Sequence, residues 1–514
     1  MEVANFFNKS ALAASHVLQG FDPALFAAKL AAAPVALAFD GHAVASPEGQ
    51  ATLDLAARLL ARFYPRVPLQ PLDDEASAYA ATLANVMRAI HPAINLTPTD
   101  AVASLVVGVT SPASTGAPCF YIGSDGWVAR YSPLGPVGSG SSAIPFGAGA
   151  AACIGVANVF RTVFADQLPG SSPDEAFTLS LLTYQASNGA AAVPDLTALD
   201  FEETALVGLG AIGNGVGWAL GYLRGVKGVL HLVDHDPIDL SNLQRYVLTR
   251  QVDVHTKKTQ LLATTLRHTG LTLLPFDATW EAFAAGRGLR PLRRAVVALD
   301  SGAARIAVQA SLPQRILNGW TQTRNLGVSR HFDFANNACL ACLYLPTGEK
   351  PSEDEMIAQV VKLPKEMVRQ LLHLQVPLDQ HLLAQIAQAT QRSLPELLPF
   401  LGQTLRVFYQ KAVCGGLVMG LGAGSPLTET PMAFQSALAG ILLAAELVVD
   451  ASGGRVQQLP TITRLNLLRP FNRRLHENEQ KHDSQRCICQ DADFQTAYAA
   501  NHSTLQAQLG GSGH

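Results

Sequence analysis

The chain has 514 residues, too many for one hydrophobic core, so two or three domains are expected. Forty acidic against thirty-seven basic residues leave a formal charge of -3, and no basic run is long enough to track a phosphate backbone, which excludes nucleic acid as a partner. Hydrophobic content of 48% supports well-buried cores, and seven scattered cysteines with no signal peptide predict reduced thiols in a cytoplasmic protein.

In the first part of the chain, residues 1–190, apolar positions recur at helical spacing over Leu53–Tyr64 and Tyr79–Ile90, which predicts amphipathic helices. Ala103–Thr110 reads as an apolar strand, and a loop rich in Ser, Pro and Gly covers Ser132–Ser142. The uncharged run Ala143–Phe160 approaches membrane-spanning length, but Pro145, three glycines and many alanines favour a buried helix, so no membrane is expected as a partner. The glycine-spaced start of Pro145–Arg161 looks like a degenerate copy of a phosphate-binding turn that recurs later in fuller form. A plain helical packing domain is the other reading of this part. Cys119 and Cys153 sit in apolar surroundings and are read as packing residues.

The second part opens near Val193. Ala205–Val207 form a short apolar run that ends in Gly208-x-Gly210-x-x-Gly213, followed by a helical segment and the strand Val229–Val233. Gly208 permits the tight turn, Gly210 lets backbone N–H groups approach phosphate, and Gly213 lets the next helix pack close to the sheet. Asp234, closing the second strand, is placed to accept from ribose hydroxyls. The residues beyond it separate NAD chemistry from ATP chemistry. Asp236, Asn242 and Arg245 set acidic, amide and cationic groups past the carboxyl end of the strand, where ligands of open α/β sheets sit, and Lys258 follows. A dehydrogenase has no use for an Arg and a Lys aimed at phosphate, whereas a reaction at phosphate needs fixed cations and metal to neutralise developing charge. Ala295–Leu299 is another apolar strand, ending in Asp300. Solvated charges at Arg245 and Lys258, and a strand-end cap at Asp300, are the plainer alternatives.

Cys339-Leu-Ala-Cys342 and Cys487-Ile-Cys489 are the two close cysteine pairs, and two separated knuckles of this kind make a closed, structural, tetrahedral zinc site. His482 is an alternative ligand on the second knuckle, and four unligated buried thiols are the other reading. Residues 351–410 carry apolar positions at helical spacing in Met367–Leu374 and Leu382–Ala389, which predicts a helical insert. Cys414 follows, beside Gly415 and Gly416, where small neighbours would let a bulky chain end reach its sulfur. It is a nucleophile or a small core residue. The tail after Ala499 is expected to be frayed.

Together, D-x-D at Asp234 and Asp236, S-N-L-x-R ending at Arg245 and a lysine thirteen residues later resemble the signature of the ThiF/MoeB superfamily, which includes the ubiquitin-activating enzymes. Asn318-Gly-Trp-Thr-Gln, Cys339-Leu-Ala-Cys-Leu-Tyr and Cys487-Ile-Cys-Gln-Asp are most similar to the BilD type of two-lobed bacterial activating enzyme found in ubiquitin-like defence operons. The resemblance implies an α/β fold. A Rossmann-like adenylation domain with a mixed or mostly parallel sheet would span 191–514, preceded over 1–190 by a degenerate, inactive adenylation-like domain. It implies ATP and Mg²⁺ as well as Zn²⁺, with Asp234 on the ribose, Asp236 and Asn242 lining the pocket, and Arg245 and Lys258 gripping the triphosphate, Lys257 being within reach of the same role. Asp300 would hold magnesium, although Ser301 stands where the family usually has Asn. The four cysteines would hold zinc, and Cys414 would form a thioester or handle sulfur. The implied partners are a ubiquitin-like protein, a conjugating enzyme and a second copy of the chain. Three rivals remain: a sulfur-carrier adenylyltransferase, a NAD-binding oxidoreductase using the glycine turn alone, and a catalytically dead scaffold.

Overall fold

A computed structural model describes residues 4–510 except 114–115, 190, 289, 346–352, 391, 410–429, 456–457 and 473–474. Two sheets organise most of the chain. The first takes β1 (Val35–Phe39), β2 (Leu69–Pro71), β3 (Ala103–Val107), β4 (Cys119–Asp125), β5 (Val128–Ser132) and β6 (Phe177–Ser180) in the order β2-β1-β3-β4-β5-β6. Its first four strands run parallel, and the last two are antiparallel. The second sheet takes β7 (Asp200–Val207), β8 (Lys227–Val233), β9 (Thr272–Phe276), β10 (Arg294–Val297), β11 (Arg315–Thr321), β12 (Leu326–His331), β13 (Ile462–Leu465) and β14 (His476–Glu477). Its order is β14-β13-β12-β11-β10-β7-β8-β9, parallel from β9 to β11 and antiparallel beyond. Apart from β9 and β14, strand order and sense repeat between the two sheets, with β1 matching β7, β2 matching β8 and β3 matching β10.

The helices of the first lobe are α1 (Phe7–Ser15), α2 (Pro23–Ala32), α3 (Gly41–Ala45), α4 (Pro47–Ala61), α5 (Asp74–Ile90) and α6 (Phe146–Val163). Local signals start them where the amphipathic pattern requires. Ser46 caps α4 by accepting from the Gly49 N–H at 3.0 Å with Pro47 in the first turn, and Asp73 caps α5 through the Ala76 N–H at 2.8 Å. The second lobe adds α7 (Ala211–Leu220), α8 (Lys258–Leu266), α9 (Trp280–Arg287) and α10 (Gly302–Ala310). The insert contributes α11 (Glu353–Val361), α12 (Lys365–Leu374), α13 (Gln380–Ala389), α14 (Leu394–Leu397) and α15 (Leu405–Phe408), and the chain closes with α16 (Ala433–Ala451) and α17 (Ala492–Gly510). Residues 346–430 form a compact unit of their own, with a core of Ile357, Val361, Val368, Leu383, Ile386, Phe400 and Phe408. The helices predicted at Met367 and Leu382 are α12 and α13.

Two expectations are corrected. Pro145–Arg161 is not a copy of the glycine turn: its helix, α6, follows the antiparallel strand β5 and matches α16, which follows β12 in the same way. Its glycines serve packing, since a Cβ on Gly149 would lie 2.5 Å from the Trp218 ring and 2.7 Å from Ile441. Both α6 and α16 are long and apolar enough to cross a membrane, yet both are buried in the core, as anticipated for α6. The tail departs from the expectation at its start, because α17 continues past Ala499 and His502 Nε2 lies 2.9 Å from the Leu312 carbonyl oxygen, while residues 511–514 lie outside the described residues.

The charged groups on buried α16 are paired. Glu446 accepts from Arg330 at 2.7 Å, from both terminal nitrogens of Arg455 at 2.7 and 2.8 Å, and from the Tyr184 hydroxyl at 2.7 Å. Burial works against its charge, but the two guanidiniums hold its carboxyl well below the usual carboxylate range. Asp450 is likewise bound by Arg294 at 2.6 Å and Arg315 at 2.7 Å.

Candidate nucleotide site

Register places the site. Val207 of β7 pairs with Val233 of β8 and with Val297 of β10, so the three strands end level and Gly208, Asp234 and Ala298 leave the sheet at one edge. Gly208 has φ 87°, in the left-handed region, and a Cβ there would lie 2.7 Å from the Ala298 carbonyl oxygen. A Cβ on Gly213 would lie 2.4 Å from the Gly208 oxygen, which explains why α7 can start so close to the strand. Gly210 is the N-cap of α7 and has no side chain to satisfy the first-turn N–H groups, so they remain available to an anion.

The polar strip folds over this edge. Asp234 accepts from the Leu209 N–H at 2.8 Å, tying the end of β8 to the glycine turn. The Lys258 ammonium, at the start of α8, lies 2.8 Å from Asp236 and 3.3 Å from Asp234. Burial opposes its charge, and the Tyr246 side chain with the two carboxylates more than offsets that, holding the lysine above its usual range. Lys257 instead donates to the His235 carbonyl oxygen at 2.9 Å, which selects Lys258 as the lysine of the site. Asp234, His235 and Asp236 cluster closely enough to suggest a metal, but Lys258 already pairs with both carboxylates.

Arg245 and Lys258 both lie near Tyr246. The Arg245 guanidinium is 5.6 Å and the Lys258 ammonium 5.8 Å from the centre of the Tyr246 ring, and the Tyr246 hydroxyl is 3.2 Å from where a Gly210 Cβ would be. Burial pushes the Arg245 guanidinium below its ordinary value, with Tyr246 and Asp300 opposing that shift. Its buried Nη1 has no hydrogen-bond partner among the described residues. A buried guanidinium nitrogen without a partner is a donor that a phosphate oxygen would satisfy. Asp300 is exposed three residues past β10, and Ser301 next to it caps α10 by accepting from the Ala304 N–H at 3.1 Å. Asp300 thus stands just past the same end of the sheet.

Asn242 has a structural role in its own turn. Its Oδ1 accepts from the Asp239 N–H at 2.9 Å and so closes the turn Leu240–Gln244 that presents Arg245. Residues that the sequence reading missed include Tyr246, Asn214 and Lys9. Asn214 donates to the Leu209 and Gly210 carbonyl oxygens at 3.0 Å each, and its own oxygen accepts from the Leu248 N–H at 3.3 Å. Lys9 reaches the site from α1: burial and then the Arg245 charge lower its pKa, with Asp239 opposing. Tyr246 and Asn214 adjoin motif residues, but nothing in the sequence pairs Lys9 with residue 245.

The four cysteines do meet. Sγ–Sγ distances are 3.9 Å for Cys339–Cys342, 3.4 Å for Cys339–Cys487, 3.4 Å for Cys342–Cys487 and 3.5 Å for Cys342–Cys489. A zinc tetrahedron with bonds near 2.3 Å has sulfur edges of about 3.8 Å, so the C-x-C knuckle fits. The shared sulfur contacts push the Cys339 thiol up and pull Cys342 down. His482 is turned to the Ser484 hydroxyl at 2.7 Å and is not among the clustered ligands. Cys414 lies outside the described residues.

These features define a nucleotide-binding α/β domain built to act at phosphate. The ThiF family profile matches residues 185–489, more than half of the 514, and the chain belongs to that family of adenylating enzymes, which bind ATP with magnesium. A second profile, prokaryotic E2 family C, matches residues 38–165 of the first lobe. The chain is 47% identical over 504 residues to uncharacterized protein y4jF of Sinorhizobium fredii, spanning 97% of each. It is also similar to E. coli MccB crystallised with ATP, at 13% identity over 58% of this chain and 68% of that chain with a TM-score of 0.34. The corresponding values for MccB with selenomethionine-labelled MccA are 13%, 58%, 68% and 0.36.

Proposed function

We propose that the chain activates the C-terminal carboxylate of a ubiquitin-like protein, in the manner of the BilD type, and passes it on through a thioester. What supports this reading is a buried Arg245 nitrogen with no hydrogen-bond partner among the described residues, and Tyr246, whose ring lies 5.6 Å from Arg245 and 5.8 Å from Lys258 and whose hydroxyl borders Gly210. A carboxylate oxygen of the partner attacks the α-phosphorus of ATP, the bond to the β-phosphate oxygen breaks, and pyrophosphate leaves. Arg245 and Lys258 offset the charge that gathers on the phosphate oxygens, Asp234 holds the ribose, and Asp236 keeps the lysine in place. Magnesium, held by Asp300, would supply further charge neutralisation at the phosphates. The Cys414 sulfur then attacks the acyl adenylate carbonyl, its proton goes to solvent, AMP leaves, and a conjugating enzyme receives the acyl group.

The prokaryotic E2 family C match supports a protein or peptide as the substrate. The repeated strand order supports reading the first lobe as an inactive relative of the second, with the Asp40 carboxylate filling the matching sheet end. A structural zinc on the four cysteines, a homodimer and a cytoplasmic setting belong to the same proposal. Pyrophosphate exchange that requires a protein ending in a flexible, glycine-containing tail tests the first step. Replacing Cys414→Ala should leave that exchange intact and remove the thiol-reducible adduct; an adduct that survives puts the nucleophile elsewhere, and exchange with no adduct in the unaltered protein favours a sulfur-carrier adenylyltransferase.

A further inference from the structure

We infer that the first lobe sets the geometry of the triphosphate site through Arg58 and Arg62, two positioning residues on helix α4 and at its end; the inference rests on the reading of the Arg245 loop as part of an ATP site. Arg62 is wholly buried and directs its guanidinium at main-chain oxygens: Nη1 donates to Arg58 at 2.9 Å, and Nη2 donates to Tyr246 at 2.6 Å and Thr249 at 2.7 Å. Arg58 holds both Asp54 oxygens through Nε at 3.0 and 2.9 Å and sends Nη1 to the Val247 carbonyl oxygen at 3.2 Å. Asp54 in turn accepts from the Trp218 indole N–H of α7 at 2.9 Å. Three of the four carbonyl oxygens over residues 246–249 are therefore held by guanidiniums of the other lobe.

A buried charge is costly unless its donors are satisfied, and simple packing between lobes does not need two of them. What they grip follows Arg245 directly. The Tyr246 ring lies near both phosphate-facing cations, and its hydroxyl borders Gly210. On the opposite side of the same segment, Asn214 joins the Leu248 N–H to the carbonyl oxygens of the glycine turn. The loop is thus strung between α4 and the turn, and a shift at Arg62 would be felt as a misplacement of Tyr246 and, through it, of Arg245 and Lys258.

The test is ATP·Mg²⁺ binding by calorimetry on the full chain, with Arg62→Lys made in the unaltered protein and in an Arg245→Ala background. A lysine keeps the charge but lacks the fork that spans two carbonyl oxygens. The expected result is a Kd raised about tenfold by Arg62→Lys alone, and by less than about twofold once Arg245 is absent, because the two changes act through one element. Equal losses in both backgrounds, or an unchanged Kd in a folded Arg62→Lys protein, overturn the inference. If Arg62→Lys does not fold, Arg58→Gln carries the test: KM for ATP should rise several-fold when assayed well below the variant's own melting temperature, and an unchanged KM overturns the inference. Absence of ATP binding by the unaltered protein would instead overturn the reading of the site on which the inference stands.

Discussion

The ends of β1 and β7 occupy matching places in two sheets of the same order, yet they meet the same electrostatic demand in opposite ways. After β7 the chain turns on Gly208, leaves the N-terminus of α7 without a side-chain cap, and borders it with Tyr246, near whose ring Arg245 and Lys258 lie. After β1 it places Asp40, whose carboxylate accepts from the Ala43 N–H at 3.0 Å, the Val109 N–H at 2.7 Å and the Thr110 N–H at 2.8 Å. A Cβ on Gly108 would lie 2.0 Å from that carboxylate, so the space is already filled. One sheet end supplies its own anion, and the other leaves donors for an anion from outside. Shared topology therefore carries no shared chemistry; the residue after the first strand decides.

The largest effect should come from breaking the open end. Arg245→Ala is expected to lower pyrophosphate exchange by roughly 10²–10³-fold, the size typical of losing one preorganised donor to transition-state charge. A loss under tenfold would mean that the guanidinium acts elsewhere. The second difference between the lobes is the thiol cluster, which belongs to the second lobe alone among the described residues. Cys487→Ser should release about one equivalent of zinc per chain and lower the melting temperature, read by metal analysis and a thermal scan. Unchanged metal content would remove the zinc assignment.

The smallest effect, and the sharpest for the comparison, is at Asp40. Burial raises its pKa, but the amides of Ala43, Val109 and Thr110 prevail and hold it below the ordinary value. A depressed acid contributes stability that is present above its unfolded pKa of about 3.9 and is lost as pH falls through the folded value. Asp40→Asn should therefore cost about 1–3 kcal/mol at neutral pH and flatten the acid limb of the stability curve, with ATP affinity unchanged. A change in ATP affinity would show that the first lobe's sheet end belongs to the nucleotide site.

The second lobe was legible because its motif is local: Gly208 to Lys258 run without interruption from the end of β7 through α7 and β8 to the start of α8. The cysteine cluster was legible through residue type, although only the Cys342–Cys487 and Cys342–Cys489 contacts showed that a C-x-C pair joins the set. Pro145–Arg161 misled because small residues at helical spacing serve a phosphate turn and close helix packing equally well, and only the antiparallel strand before α6 separates the two uses. Arg62 and Lys9 were invisible for another reason. Each acts on a residue more than 180 positions away, through contacts that only the fold creates.

The central claim is that one nucleotide binds per chain, at the β7 end. Calorimetry with ATP·Mg²⁺ on the unaltered protein should give a single site that Arg245→Ala weakens but leaves measurable and Asp40→Asn leaves intact. Two sites per chain, or binding of NADH with no binding of ATP, would contradict it.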